Sequence, residues 1–142
     1  MTRILALDPG GTTGWALFRL PDDDPIYLID CGQVVGGNDR FIRWWGTVEH
    51  DLVVSETFRL DGRTRYPDIT PLRIEGALDV LSPGWHGQAN VMKAHAPDDL
   101  LKKHGLWIRG QRHSRDAIRH GLAYAKMHKH LPTLAWFWPE RP

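Results

Sequence analysis

The chain has 142 residues, 42% of them hydrophobic and 25% charged, which is the size and composition of one globular domain spanning residues 1–142 and excludes a disordered chain. No apolar run approaches the roughly 20 residues that cross a bilayer, and the opening MTRILALDPGG lacks the basic, apolar, small-residue order of a secretion signal. A cytoplasmic protein without a membrane partner is expected, and its one cysteine, Cys31, excludes an internal disulfide and reads as a small buried hydrophobe.

The net charge of +1 is unevenly spread. Residues 1–83 hold 8 Lys+Arg against 13 Asp+Glu, net −5, whereas residues 84–142 hold 10 against 4, net +6, and seven of the 8 histidines follow residue 85. An acidic first half can supply carboxylates to a cation, and a basic second half can face a polyanion; nucleic acid is favoured over two merely solvated faces.

Residues 4–7 (ILAL) form a nearly continuous apolar run, the pattern of a strand covered on both faces, and it ends at Asp8 before a Pro9-Gly10-Gly11 turn. Apolar character resumes at Trp15, Ala16, Leu17 and Phe18, which makes a hairpin, and Asp8 lies at the mouth of the sheet. Alone, this segment fits a plain Asp-Pro-Gly turn as well as a site. After the exposed turn at residues 21–25, residues 26–35 give a third strand of an antiparallel meander, closed by Gly36-Gly37. Asn38 is the expected N-cap of a helix through Phe41, Ile42, Trp45 and Val48. Leu52, Val53, Val54 and Ser55 then form a buried strand that ends, like the first, on a carboxylate, Glu56.

Residues 57–68 read as a basic loop. Thr70-Pro71 starts a helix whose apolar face is Leu72, Ile74, Ala77, Leu78 and Leu81, stopped at Ser82-Pro83-Gly84. A strand at 89–94, a short helix at 97–104 and an extended piece at 106–108 are expected next. The last helix runs from an N-cap at Ser114 to about Lys129; Ala117, Gly121 and Ala125 give it a small-residue stripe that can lie close to a sheet. The tail LPTLAWFWPERP is apolar, and Trp136, Phe137 and Trp138 are expected to cover a groove or a partner chain.

His113, Asp116 and His120 share one face of that helix at i, i+3 and i+7, beside the small stripe. Two strand-end carboxylates and a helical His/Asp pair are hard-donor chemistry that suits Mg²⁺ or Mn²⁺, and clustering them is unfavourable unless a cation offsets the repulsion.

The segment LDPGGTTGWALF, the strand VVSE and the helix start HSRDAIRHGLAYA resemble the three active-site blocks of RuvC-type Holliday-junction resolvases, in the ribonuclease H-like superfamily. The blocks occur in the family's order over most of the chain, although residues 85–110 match poorly and an Asp-x-Gly-x-Thr-x-Gly pattern also opens actin-like ATPases. The resemblance implies an α/β fold, a five-stranded mixed sheet with its first three strands antiparallel and flanked by helices. It also implies a homodimer acting on branched, four-way-junction DNA. By position, Asp8, Glu56 and Asp116 match the family's catalytic, metal-binding carboxylates, and His113 falls where the family carries an acid or a histidine.

The expected function is therefore a metal-dependent endonuclease with two Mg²⁺ ions per site, replaceable by Mn²⁺, held by Asp8, Glu56, His113 and Asp116. Arg59, Arg63, Arg65, Lys93, Lys102 and Lys103 are the expected phosphate contacts. Phe58 is either a wedge into the base stack or a cap on the core. His113 is either a ligand or only a neighbour of the N-cap, and His120 is either part of the site or a polar edge. The rival readings are a ribonuclease H-like nuclease on RNA or another replication intermediate, and a catalytically silent nucleic-acid-binding module.

Overall fold

In the computed structural model, which describes residues 1–140, the first apolar run is β1 (Thr2–Asp8), the middle strand of a five-stranded sheet. It is followed by β2 (Thr12–Leu20), β3 (Tyr27–Val35), α1 (Gly37–Trp44), β4 (Leu52–Glu56), α2 (Thr70–Leu81) and β5 (His86–Gln88). A 3₁₀ turn (Asn90–His95), α3 (Asp98–Lys103), α4 (Arg112–Met127) and α5 (Leu131–Phe137) complete the chain. The strand order is β3-β2-β1-β4-β5, antiparallel across β3, β2 and β1 and parallel from β1 through β4 to β5. This is the mixed sheet expected from sequence.

The run at residues 4–7 is apolar throughout because helices cover both faces of β1, and strand periodicity sends alternate side chains to each. Ile4 and Ala6, with Ala16, Phe18 and Val54, pack against Ala117, Ile118, Leu122 and Ala125 of α4. Leu5, Leu7 and Val53 pack against Phe41 of α1 and Ile74 and Leu78 of α2. Each of these larger side chains contributes about 1.5–3 kcal/mol by leaving water.

Several local expectations are corrected. Residues 89–94 are not a strand. The fifth strand is the polar triplet His86–Gln88, which pairs with β4 through backbone bonds and so shows no hydrophobic pattern. Val91, one of the apolar residues of the expected strand, is 73% exposed in the 3₁₀ turn. Residues 106–108 join no ladder, although Leu106, Trp107 and Ile108 pack on the core. α1 is capped by Gly36 at φ 118° instead of Asn38 and ends before Val48. On α2 only Ile74 and Leu78 are buried, while Leu72 and Leu81 face outward. α4 begins after Gln111, so Ser114 lies in its first turn, and Cys31 is only half-buried. The tail forms α5, where Phe137 is buried and Trp138 packs on the chain's own core, leaving Trp136 59% exposed. Its last two residues, 141 and 142, lie outside the described residues.

Candidate active site

Strand parity selects the face on which the site forms. Asp8 follows Ile4 and Ala6, and Glu56 follows Val54, so both strand-end carboxylates point toward the layer that contains α4. Parallel pairing of β1 with β4 then sets their ends side by side. Asp8 stands opposite Gly14 on β2, and Gly14 stands opposite Gln33 on β3. Above this row sits the N-terminus of α4, where the His113 N–H donates to Gln33 Oε1 at 3.1 Å and the Ser114 hydroxyl donates to the Gly32 carbonyl. A Cβ on Gly14 would collide with the His113 carbonyl, and one on Gly121 would collide with the Phe18 ring. These two glycines let α4 lie close to the strands, which brings its first turn to Asp8.

His113 Nδ1 is 3.1 Å from Asp8 Oδ2. Lys93, from the 3₁₀ turn, places its ammonium 3.2 Å from Glu56 Oε1 and 3.5 Å from Asp116 Oδ2. Asp116 Oδ1 lies 3.4 Å from Nε of Arg119, whose guanidinium also meets Asp98 at 2.6 Å. His120, fully buried, turns Nε2 toward Glu56 Oε1 at 3.5 Å. Gln88 holds that ring: its Nε2 donates to the His120 carbonyl at 3.0 Å and sits 3.0 Å from His120 Nδ1. The accepting Nδ1 leaves the ring proton on Nε2, aimed at Glu56.

The cluster carries unresolved negative charge. Burial first, then the hydrogen bond and charge of Glu56 and the charge of Asp116, push the Asp8 carboxyl up to about 8. Burial also works to raise Glu56, but His120, the hydrogen bond with Asp8 and the Lys93 ammonium outweigh it and bring Glu56 down to about 2. At neutral pH one proton therefore serves two carboxyls, on the Asp8 side. Burial, followed by the Arg112 charge, lowers His113 below its ordinary value, so its imidazole is neutral there.

No family model matches the sequence, and no curated protein matches it either. Solved structures do match. Thermus thermophilus RuvC is 16% identical with a TM-score of 0.65 over 89% of this chain and 96% of that one. The same organism's RuvC in complex with a Holliday junction substrate is 14% identical, with a TM-score of 0.66 over 92% and 97%. A Fowlpox virus resolvase in complex with Holliday junction DNA is 14% identical, with a TM-score of 0.62 over 87% and 99%. The fold is that of the RuvC-type resolvases.

Within this RuvC-type fold, no three His, Cys, Asp or Glu side chains among the described residues stand as a ready-made metal cage. The donor set still fits a divalent cation. Three carboxylates and the His113 imidazole converge, Glu56 Oε1 is buried without a hydrogen-bond partner, and Asp8 holds a proton that a cation would displace.

The structure brings together Asp8, Glu56, His113 and Asp116, and adds His120. Lys93, expected among the phosphate contacts, lies inside the carboxylate cluster. Phe58 is half-buried; with Arg59, Asn90 and Val91 it borders an open cleft of about 520 Å³ that ends at Glu56. Arg63 and Arg65 are exposed further along the loop, Arg65 against the Tyr66 ring. Lys102 and Lys103 end α3 away from the carboxylates, Lys102 over the Trp107 ring. Sequence reasoning missed Gly14, Gln33 and Gln88, which act through packing and hydrogen bonds. Only the tightness of the LDPGGTTGWALF hairpin hinted at the first.

Proposed function

We propose that this protein is a metal-dependent endonuclease that hydrolyses DNA phosphodiesters at four-way or other branched junctions, working as a homodimer. One observation carries the reading: Asp8 and Glu56 end adjacent parallel strands of a RuvC-type fold, His113 from the first turn of α4 meets Asp8, and Asp116 one turn further on faces Glu56 across Lys93. The proteins of similar fold include a RuvC and a viral resolvase bound to Holliday junctions. Among the described residues no helix is long and apolar enough to cross a membrane.

Asp8, Glu56, Asp116 and His113 would hold two Mg²⁺ ions, with Mn²⁺ able to substitute. When bound, such ions supply an acidified water as nucleophile and neutralise charge growing on the leaving 3′ oxygen. Asp8, which both Glu56 and Asp116 face, would hold the ions together with those two carboxylates. His113 anchors Asp8 through Nδ1 and keeps Nε2 for a ligand. His120 and Gln88 fix the orientation of Glu56. Phe58 and Arg59, on the cleft that runs to Glu56, meet the nucleic acid, with Arg63 and Arg65 following on the loop.

A silent binding module would need one of the carboxylates out of place, whereas all three border the Asp8–Lys93 cluster. Cleavage of fluorescent four-way-junction, flap, RNA–DNA hybrid and linear substrates, each with and without Mg²⁺, tests the proposal. Mg²⁺-dependent cleavage of the junction above the other substrates is expected. Preferential cutting of the hybrid would move the reading to a ribonuclease, and no cutting of any substrate would overturn it.

A further inference from the structure

Lys93 is the cation placed between two of the carboxylates assigned above, 3.2 Å from Glu56 Oε1 and 3.5 Å from Asp116 Oδ2, with only 23% of its side chain exposed. A surface lysine would keep its ammonium in water, since ordering a long side chain costs about 1.5–2 kcal/mol. Here repulsion among Asp8, Glu56 and Asp116 compensates that cost. The contact with Glu56 is electrostatic: Oε1 remains without a hydrogen-bond partner, as does the fully buried His120 Nε2 aimed at it. The ammonium thus balances charge without saturating the donors, which leaves Glu56 free to be rebound.

We infer that Lys93 is a built-in counter-cation that closes the metal-free site, and that divalent metal displaces it outward, where it can meet a phosphate. The room for this movement exists. Lys93, Asp116, Arg119, Pro97 and Asp98 border an open cleft of about 660 Å³ beside the cluster. The residue also sits on a 3₁₀ turn rather than on a strand or long helix, so its backbone is held by few ladder bonds. An ammonium and a divalent ion cannot share two carboxylates at these distances without strong repulsion. Metal binding therefore includes the work of moving Lys93.

The inference rests on the metal-dependent reading, and its test separates the two. Calorimetric titration of Mn²⁺ into the parent, Lys93→Met and Lys93→Arg proteins, without DNA, measures affinity apart from activity. Lys93→Met keeps the stem but removes the charge, and Mn²⁺ is expected to bind it about tenfold or more tightly than the parent, with Lys93→Arg binding no better than the parent. Thermal melting gives a second readout. Without metal Lys93→Met should melt below the parent, and saturating Mn²⁺ should raise its melting temperature by more than it raises the parent's. Equal or weaker Mn²⁺ binding by Lys93→Met overturns the counter-cation role alone. Binding by none of the three chains overturns both this role and the metal-dependent reading.

Discussion

At the scale of single residues, Asp8 is the carboxyl whose ionisation the fold shifts furthest, chiefly through burial. Its folded-state value near 8, against 3.8 for a free carboxyl, means the folded chain retains a proton that the unfolded chain releases. Stability is therefore lost as pH rises from about 4 to about 8 through this group. Asp8→Asn keeps the shape and removes the ionisation. The expected outcome is complete loss of Mg²⁺-dependent cleavage with junction binding retained, together with a metal-free protein more stable than the parent by about 1–3 kcal/mol at pH 8. Denaturant melts at several pH values check this, since the gain should vanish below about pH 4. His113 gives the second residue-level expectation. Burial lowers its pKa from the ordinary 6.5, so the imidazole is neutral and able to bind metal above that region and protonated below it. Activity should fall only as pH drops below about 6.5. His113→Asp should cleave with its acid limb moved lower and with less advantage from Mn²⁺, whereas His113→Ala should lose on the order of 100-fold in rate at every pH. A full pH–rate profile with each metal decides between a ligand and a bystander.

At the scale of elements, the site depends on how closely α4 approaches β1 and β2. Gly14 lies under the His113 carbonyl, and the backbone there has no room to move aside without carrying the helix start away from Asp8. Gly14→Ala is expected to cost about 1–3 kcal/mol as overpacking and to abolish most cleavage. Gly11→Ala, where an added Cβ meets nothing within 4 Å, should stay within about 0.5 kcal/mol of the parent. Comparing the two melts and rates separates a glycine needed for close packing from one that only makes a turn. The loop between β4 and α2 gives the other element-scale test. Replacing Arg59, Arg63 and Arg65 with Ala should weaken junction binding broadly and flatten its salt dependence by about 0.9 in slope for each phosphate left without its arginine. An unchanged slope in a salt titration would reject a role for these arginines on the DNA backbone.

At the scale of the whole molecule, charge is divided along the chain but shared in space. The acidic first half supplies Asp8 and Glu56, while the basic second half supplies His113, Lys93, Arg119 and also Asp116, and the fold joins the two halves in one cluster. A symmetric four-way junction offers paired cleavage points, so the proposed homodimer should place two chains on each junction. Sedimentation of the Asp8→Asn protein with labelled junction should show that two-to-one complex; a one-to-one complex at saturation would reject the dimer.

The strand-end carboxylates, the antiparallel meander of the first three strands and the α4 stripe were legible in sequence because each leaves a local pattern, whereas the mixed five-stranded sheet was implied by the family resemblance. These patterns are an apolar run ending in an acid, turns between strands, and small residues every four positions. The polar strand His86–Gln88 left none, since backbone pairing with β4 and the contact of Gln88 with His120 define it, not hydrophobicity. The N-caps misled as well: α4 starts earlier, after Gln111, and the Ser114 hydroxyl lies inside it between two acceptors, the Gly32 carbonyl and Gln111 Oε1. The aromatic tail reads as the cover of a groove or of a partner chain, and it was the fold that decided for the chain's own core, onto which Phe137 and Trp138 pack. Sequence by itself determined which chemical groups are present and which strands carry them. Only the tertiary structure decided that Lys93 lies between Glu56 and Asp116 and that Gln88 orients His120, because these pairings join residues distant in sequence through the shared field of a buried charge.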